Sequence, residues 1–312
     1  MNFIRSHQIT AVISTRNRGE RVAETVRSVL KNDYPHFVLV VIDQSEDDLT
    51  ANAIGHFLKD PRFQYMRSLT RGLSAGRNVG IKSAQSELIA LTDDDCEPPI
   101  NWLKKLALAF ILDRRIGVVF GSVEAGPYEL AKGFIPTCIQ AKPFLARRMT
   151  EQYKSEGMSA CMGIRRTLWE SLGGFDEMLG VGSSFKAAEE MDFALRALSA
   201  GHFVYATPEA RVIHHGFRTW GEGKRLIQAY LYGTGAAFAK QMKNRPGPTL
   251  SVLARIGRRW SFGHPPVRFG NRSFRGLRLT AFAKGFLRGL RNPVDRNSGH
   301  FLSPNLFSSW RG

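Results

Sequence analysis

Three consecutive carboxylates, Asp93, Asp94 and Asp95, stand directly after the apolar run Leu88 to Leu91. Hard divalent cations such as magnesium or manganese take oxygen ligands, typically one or two carboxylates plus phosphate oxygens. An Asp-x-Asp arrangement at a strand end can hold such a metal with one carboxylate and a ribose hydroxyl with another. The metal then neutralises charge as a bond to a pyrophosphate breaks. Asp95 is the first expected metal ligand, with Asp93 on the ribose or the metal. The same residues would suit a solvated acidic turn capping the helix that begins near Ile100. Their place after an apolar strand and before Pro98-Pro99 and Trp102 favours a site, because open α/β sheets bind ligands beyond the carboxyl ends of their strands.

The elements that must position this cluster read as an α/β domain, with short β-branched runs alternating with amphipathic stretches. Strands are expected near 8–13, 37–42, 63–66, 88–91 and 117–123, then at 158–164, 203–205 and 210–213. Helices are expected at 20–30, 49–58, 74–84, 102–112, 166–172 and 189–200. The near-continuous apolar run Phe37 to Ile42 suits a strand buried on both faces of a parallel sheet. Residues 127–157, with Pro136, Pro143 and isolated aromatics, read as an insertion or mobile loop.

The chain has 312 residues, 43% hydrophobic and 23% charged, an ordinary globular composition. Its cysteines, Cys96, Cys138 and Cys161, lack metal or redox spacing and suit free, mostly buried thiols in a reducing compartment. No run reaches the roughly 18 apolar residues of a spanning helix, and Ile9 to Ile13 passes into polar residues too soon for a signal peptide. A cytoplasmic location is expected. Net charge is +17, and it is unevenly placed. Residues 1–217 hold 26 basic and 25 acidic side chains, whereas 218–312 hold 18 and 2. A near-neutral body thus carries a strongly basic tail.

Six segments in order resemble the family 2 inverting glycosyltransferases of GT-A fold. They are Val12-Ile13-Ser14-Thr15-Arg16-Asn17-Arg18, Val40-Val41-Ile42-Asp43-Gln44-Ser45, Arg71 to Gly80, Leu91 to Pro99, Gly173-Gly174-Phe175-Asp176-Glu177 and Glu189-Glu190-Met191-Asp192-Phe193. The resemblance covers about residues 8 to 215. It implies a GT-A-type, Rossmann-like, mixed and mostly parallel sheet flanked by helices, with the basic C-terminal helical extension added. The domain division is 1–217 for the nucleotide-sugar domain and 218–312 for the tail. Two departures stand out: Gln44 replaces a second acid after Asp43, and the usual Glu-Asp pair is Glu189-Glu190. The Gln-x-x-Arg-Trp motif of processive members is absent, which argues for single additions.

What the resemblance implies is a direct displacement at the anomeric carbon of a nucleotide-diphosphate sugar, with a uridine donor favoured. A carboxylate within about 3 Å must take the proton of the acceptor hydroxyl. Glu190 is implied as that base, with Glu189 and Asp192 as alternates, although all three acids also suit the first turn of a helix. Asp43 is implied as the uracil contact. Thr15, Arg16, Asn17 and Arg18 belong to the nucleotide loop, and Asp94 to the nucleotide site. Arg71, Arg77 and Asn78 are reasonable donor contacts, since guanidinium suits uracil and phosphate. His214 or His215, after the last core strand, would complete the metal or diphosphate shell. A packed or hydrogen-bonded histidine is the plainer alternative. Magnesium or manganese is the expected cofactor.

In the tail, Leu279, Phe282, Ala283, Phe286, Leu287 and Leu290 share one helical face, with Arg278, Lys284, Arg288 and Arg291 mainly opposite. Such a helix can lie on an anionic membrane surface, with Trp260, Phe262, Phe274 and Trp310 as anchors. A helix packed on the body is the alternative, and nucleic acid is not an expected partner. The expected acceptor is a glycan or lipid-linked sugar in cell-envelope or exopolysaccharide assembly, at the inner face of the membrane. A non-catalytic glycan- or lipid-binding protein is the rival. A sugar nucleotidyltransferase is weaker, because residues 15–19 lack its lysine.

Overall fold

The computed structural model describes residues 7–261 and 275–303. The side chains of 258–261 and 275–278 are not described, so those of Trp260 and Arg278, and the residues Phe262, Phe274 and Trp310 altogether, lie outside what the structure describes.

Strands β1 (Ile9–Thr15), β2 (Phe37–Asp43), β3 (Phe63–Arg67) and β4 (Leu88–Leu91) run parallel in the order β3-β2-β1-β4. Every residue of β1 and β4 is buried, which is why their sequences lack polar alternation. β9 (Met162–Arg165) runs antiparallel between β4 and β6 (Ile116–Ala125). β10 (Phe203–His214) returns to the common direction beside β6, and β5 (Cys96–Glu97) and β8 (Phe144–Ala146) pair antiparallel with it. The two strands expected at 203–205 and 210–213 are thus one, continuous through a register irregularity between Ala206 and Arg211.

Helices α1 (Arg21–Leu30), α2 (Leu49–Ile54), α3 (Leu73–Ser83), α4 (Trp102–Ile111), α5 (Arg166–Ser171) and α6 (Glu189–Ser199) cover the sheet. α1 buries Val22, Val26, Val29 and Leu30, the face its periodicity predicts. α4 buries Trp102, Leu103, Leu106 and Phe110. Residues 127–157 are not a free loop. They form β7 (Gly133–Phe134), β8 and a 3-10 turn, Met149–Lys154, that buries Met149 and Gln152. β7 pairs with β11 (Arg218–Thr219) in a separate two-stranded sheet. Strands of two or three residues carry no readable period, which explains the difference from expectation.

Three helices follow: α7 (Trp220–Asn244), α8 (Pro246–Ser261) and α9 (Arg275–Arg291). Thr219 and Glu222 form a reciprocal capping box that fixes the start of α7. The jump in charge near residue 217 is not matched by a gap in packing. Lys240 of α7 is fully buried, 2.5 Å from Asp176 and 2.9 Å from Asp192. α9 lies on α7 at backbone contact, since a Cβ on Gly285 would stand 1.9 Å from the Tyr232 carbonyl oxygen.

The apolar stripe of α9 divides in two. Phe282, Gly285, Phe286 and Gly289 face inward, whereas Leu279, Leu287 and Leu290 are 63%, 53% and 39% exposed. Arg288 is exposed, and its side chain reaches back to donate to the Tyr232 hydroxyl at 2.8 Å and to lie over the Phe185 ring. Among the described residues, no helix is long and apolar enough to cross a membrane.

Candidate active site

The three aspartates leave β4 in a tight turn, and each is captured differently. Asp95 is buried, its Oδ1 3.3 Å from His214 Nε2. Strand pairing makes that contact: β5 returns against the end of β10 with His214 opposite Cys96, and the His215 amide donates to the Asp95 carbonyl. His214 Nδ1 lies 3.0 Å from the Pro136 carbonyl oxygen. That carbonyl accepts the Nδ1 proton and turns Nε2 towards Asp95, the tautomer a metal-binding imidazole needs. Burial pushes the His214 pKa down, but the hydrogen bond and charge of Asp95 outweigh it and the net shift is upward. Burial likewise opposes ionisation of Asp95, and His214 and Arg18 overcome it and hold the carboxyl below its usual range.

The donor set fits a divalent cation. A carboxylate oxygen, an imidazole nitrogen and the Cys96 sulfur lie within 4.8 Å of one another, all buried. Burial raises the Cys96 thiol well above its ordinary range, so the oxygen and nitrogen atoms of the group are the ones suited to a hard ion. Space beside them is kept by Gly216, where a Cβ would stand 2.4 Å from His214 Nε2 and 2.9 Å from Asp95 Oδ2. His215 points elsewhere, onto Glu97 at 3.2 Å, and is not brought to this group.

Asp94 is buried, accepts from the Thr15 hydroxyl at 2.7 Å and pairs with Arg18 at 3.3 Å. Burial pushes its pKa up to about 6 against the pull of Arg18 and Thr15. Thr15, Arg18 and Asp94 therefore brace the end of β1 against the aspartate turn. Asn17 takes a positive φ of 55° in this loop and donates its amide to Ser45 Oγ. Arg16 and Arg71 both reach Glu46, at 3.1 and 2.8 Å, and remain exposed at the rim. Asp43 is fully buried, accepting from the Ser45 amide and the Tyr65 hydroxyl, so it shapes the loop above β2 from beneath.

Two expected donor contacts are placed otherwise. α3 packs so closely on the sheet that a Cβ on Gly76 or Gly80 would strike Ser14 or Val12. This approach drives Arg77 into the interior, fully buried, with one terminal nitrogen 2.6 Å from Asp93 and the other 3.0 Å from Glu189. Asn78 clasps the glycine-rich turn, donating to the Phe175 carbonyl and Glu177 and accepting from the Phe175 amide and Trp169. Both side chains are engaged within the protein.

The first turn of α6 separates its acids. Ala188, at φ 75°, starts the helix from a left-handed conformation. Glu189 turns to Arg77, and Glu190 lines a cavity of about 280 Å³ together with Asp93. Burial, and then the charge of Glu189, raise Glu190 well above the usual carboxylate range. Asp192 faces away from that cavity, bound by Arg196 at 2.9 Å and by Lys240. Burial would raise its pKa, but those two cations hold it low. As an alternate base it is corrected: both oxygens are committed to structure.

Sequence reasoning missed Gly216, the Pro136 carbonyl, Glu46 and Tyr230, which lines the same cavity as Glu190. A glycine directly after His214-His215 was a signal for the first. The others carry none.

Residues 10–172 match the model of glycosyl transferase family 2. The O-antigen biosynthesis protein RfbC of Myxococcus xanthus is 26% identical over 226 residues, 67% of this chain and 17% of that protein. The chain spans between 14% and 32% of the length of several curated relatives named as glycosyltransferases. Among solved structures, S. aureus TarS 1-349 in complex with UDP-GlcNAc aligns with TM-score 0.61 at 17% identity, covering 82% of this chain and 73% of that one. The mannosyltransferase PcManGT of Pyrobaculum calidifontis, in complex with GDP-Man and Mn2+, aligns with TM-score 0.58 at 15% identity, covering 91% and 85%. These likenesses give the fold, the mixed and mostly parallel sheet of the GT-A type. With a family match over more than half of its length, on a strand order that delivers the aspartate turn and the acidic helix to one region, the chain belongs to glycosyl transferase family 2.

Proposed function

We propose that the protein transfers a single sugar, with inversion, from a nucleoside-diphosphate donor, preferentially a UDP-sugar, to a glycan or lipid-linked acceptor of the cell envelope. The observation that carries this reading is that Glu190 and Asp93 line one cavity and are joined through Glu189 and Arg77. Glu190 takes the proton of the acceptor hydroxyl. The oxygen so freed forms a bond to the anomeric carbon as the bond to the diphosphate breaks on the opposite face. A raised proton affinity at Glu190 makes it a stronger base than an ordinary carboxylate.

Asp95 and His214 would hold magnesium or manganese, and Asp93 would meet the ribose. What the ion supplies when bound is neutralisation of the leaving diphosphate. Arg18, beside Asp94 and Asp95, adds fixed positive charge there, and Arg16 and Arg71 flank the nucleotide side. The Mn2+ complex of PcManGT and the UDP-GlcNAc complex of TarS support the choice of metal and donor. The exposed leucines of α9 beside Lys284 and Arg291 support a peripheral place on an anionic inner membrane surface.

A panel of UDP- and GDP-sugars with manganese tests the reading. Thermal stabilisation by one donor and metal-dependent release of its nucleoside diphosphate are expected. Absence of binding and turnover across the panel would overturn it.

A further inference from the structure

The cavity beyond Glu190 has a composition that constrains what enters it. One wall comes from the basic tail: Ile227, Tyr230, Leu231, Thr234 and Phe238 of α7, and Ile256 of α8. Opposite stand Phe120, Pro136 and Met158. Asp93, Glu156, Glu189 and Glu190 supply charge of one sign, and no Lys, Arg or His lines the cavity among the described residues. Arg77 lies behind Asp93 and Glu189 and is already paired with both, so an anionic group entering the cavity would meet carboxylates. Apolar walls favour a group that gives up water readily, and each methylene so buried gains about fourfold in affinity. The volume of about 280 Å³ admits a short aliphatic stretch or a ring.

Tyr230 stands among these walls as the exception. Its hydroxyl makes no hydrogen bond to the described residues, yet Glu190, Glu189 and Asp93 act on it electrostatically, after burial, to raise its pKa. A phenol kept protonated at the mouth of the base can donate to, or accept from, an alcohol oxygen.

We propose that this cavity is the acceptor subsite, that it takes an uncharged alcohol whose reacting hydroxyl sits next to an aliphatic or ring-shaped apolar group, and that Tyr230 positions that hydroxyl. The proposal rests on the transferase reading with Glu190 as base and adds the acceptor's chemistry. It also makes α7 and α8 part of the substrate site.

The test uses the full chain with manganese, titrated by calorimetry with methyl β-D-glucoside and with n-octyl β-D-glucoside below its micelle concentration. The octyl compound is expected to bind at least about tenfold tighter, since several methylenes are buried. Leu231→Glu is expected to erase that preference. Leu287→Ser, on the exposed face of α9, is expected to keep it, which separates the cavity from the tail surface. Tyr230→Phe is expected to weaken both glucosides by a similar factor and leave their ratio intact. Equal affinities for the two glucosides, or a preference that survives Leu231→Glu, overturn the proposal. If the donor panel still turns over in that case, only the acceptor assignment has failed. If the panel is inert, the transferase reading fails and takes this proposal with it.

Discussion

Arg77 and Glu189 meet at 3.0 Å in the interior, and the second terminal nitrogen of the same guanidinium holds Asp93 at 2.6 Å. One buried cation thereby sets the spacing between the aspartate turn after β4 and the acidic start of α6. A planar fork can serve two carboxylates at once, whereas an ammonium is a point charge. Arg77→Lys is expected to retain the fold but lose at least tenfold in turnover. Arg77→Met leaves the buried Glu189 and the half-buried Asp93 without this counter-ion and is expected to cost about 3–5 kcal/mol of stability. Urea unfolding and nucleotide-release assays on both variants check this.

Glu190 and Asp192 lie two residues apart and should respond oppositely. Glu190→Gln is expected to lower turnover about 10²- to 10⁴-fold with donor affinity and unfolding midpoint retained. Asp192→Asn removes a partner of both Lys240 and Arg196, so its loss should appear chiefly in the unfolding midpoint. Equal loss of turnover with unchanged stability in both would reject the separation of roles.

Gly216→Ala tests the proposed metal site and leaves both proposed ligands in place. Its Cβ would enter the space beside His214 Nε2 and Asp95 Oδ2. Manganese affinity, read by calorimetry or paramagnetic broadening, is expected to fall at least tenfold, as it should in Asp95→Ala and His214→Ala. His215→Ala should bind manganese as the parent does, because its ring faces Glu97.

The pH profile follows from the direction of the Glu190 shift. Burial and Glu189 raise it, so the protonated, inactive form persists to higher pH than for an exposed carboxylate. Turnover is expected to fall as pH drops through that raised value, giving an acid limb above the ordinary glutamate range. Glu189→Gln removes the neighbouring charge and should move the limb to lower pH.

Asp192 supplies the matching prediction for stability. Its folded pKa lies below the ordinary value, so its ionic contribution is fully present above the unfolded value and is lost as pH falls through the folded one. Lys240→Met removes one of the two cations responsible. It is expected to destabilise the protein by about 3–5 kcal/mol near neutrality, with a smaller difference from the parent in acid.

The strands and the aspartate turn were legible because each rests on a local signal. A run such as Phe37 to Ile42 has one good solution, a strand covered on both faces. The acids at 93–95 and 189–190 were legible by type and order. What escaped depends on contacts between distant segments. Arg77 carries the chemistry of a phosphate ligand, and only the tight seating of Gly76 and Gly80 on β1 and β2 turns it inward. Asn78 has the right polarity for a donor and is spent on the turn at Phe175. His214 and His215 could be told apart only through the pairing of β5 with β10. Tyr230 had no motif at all, since its meaning comes from α7 lying across the site.

Lys240 sits 23 residues past the point where the charge balance changes, yet its ammonium is bonded to Asp176 and Asp192. Expressing residues 1–217 by themselves would take the Lys240 cation from Asp176, leave Asp192 with Arg196 alone, and open the flank where Tyr230 and Leu231 stand. Such a fragment should precipitate or stay molten, and exchanging residues 218–312 between relatives should alter the acceptor preference proposed for the wall that α7 supplies.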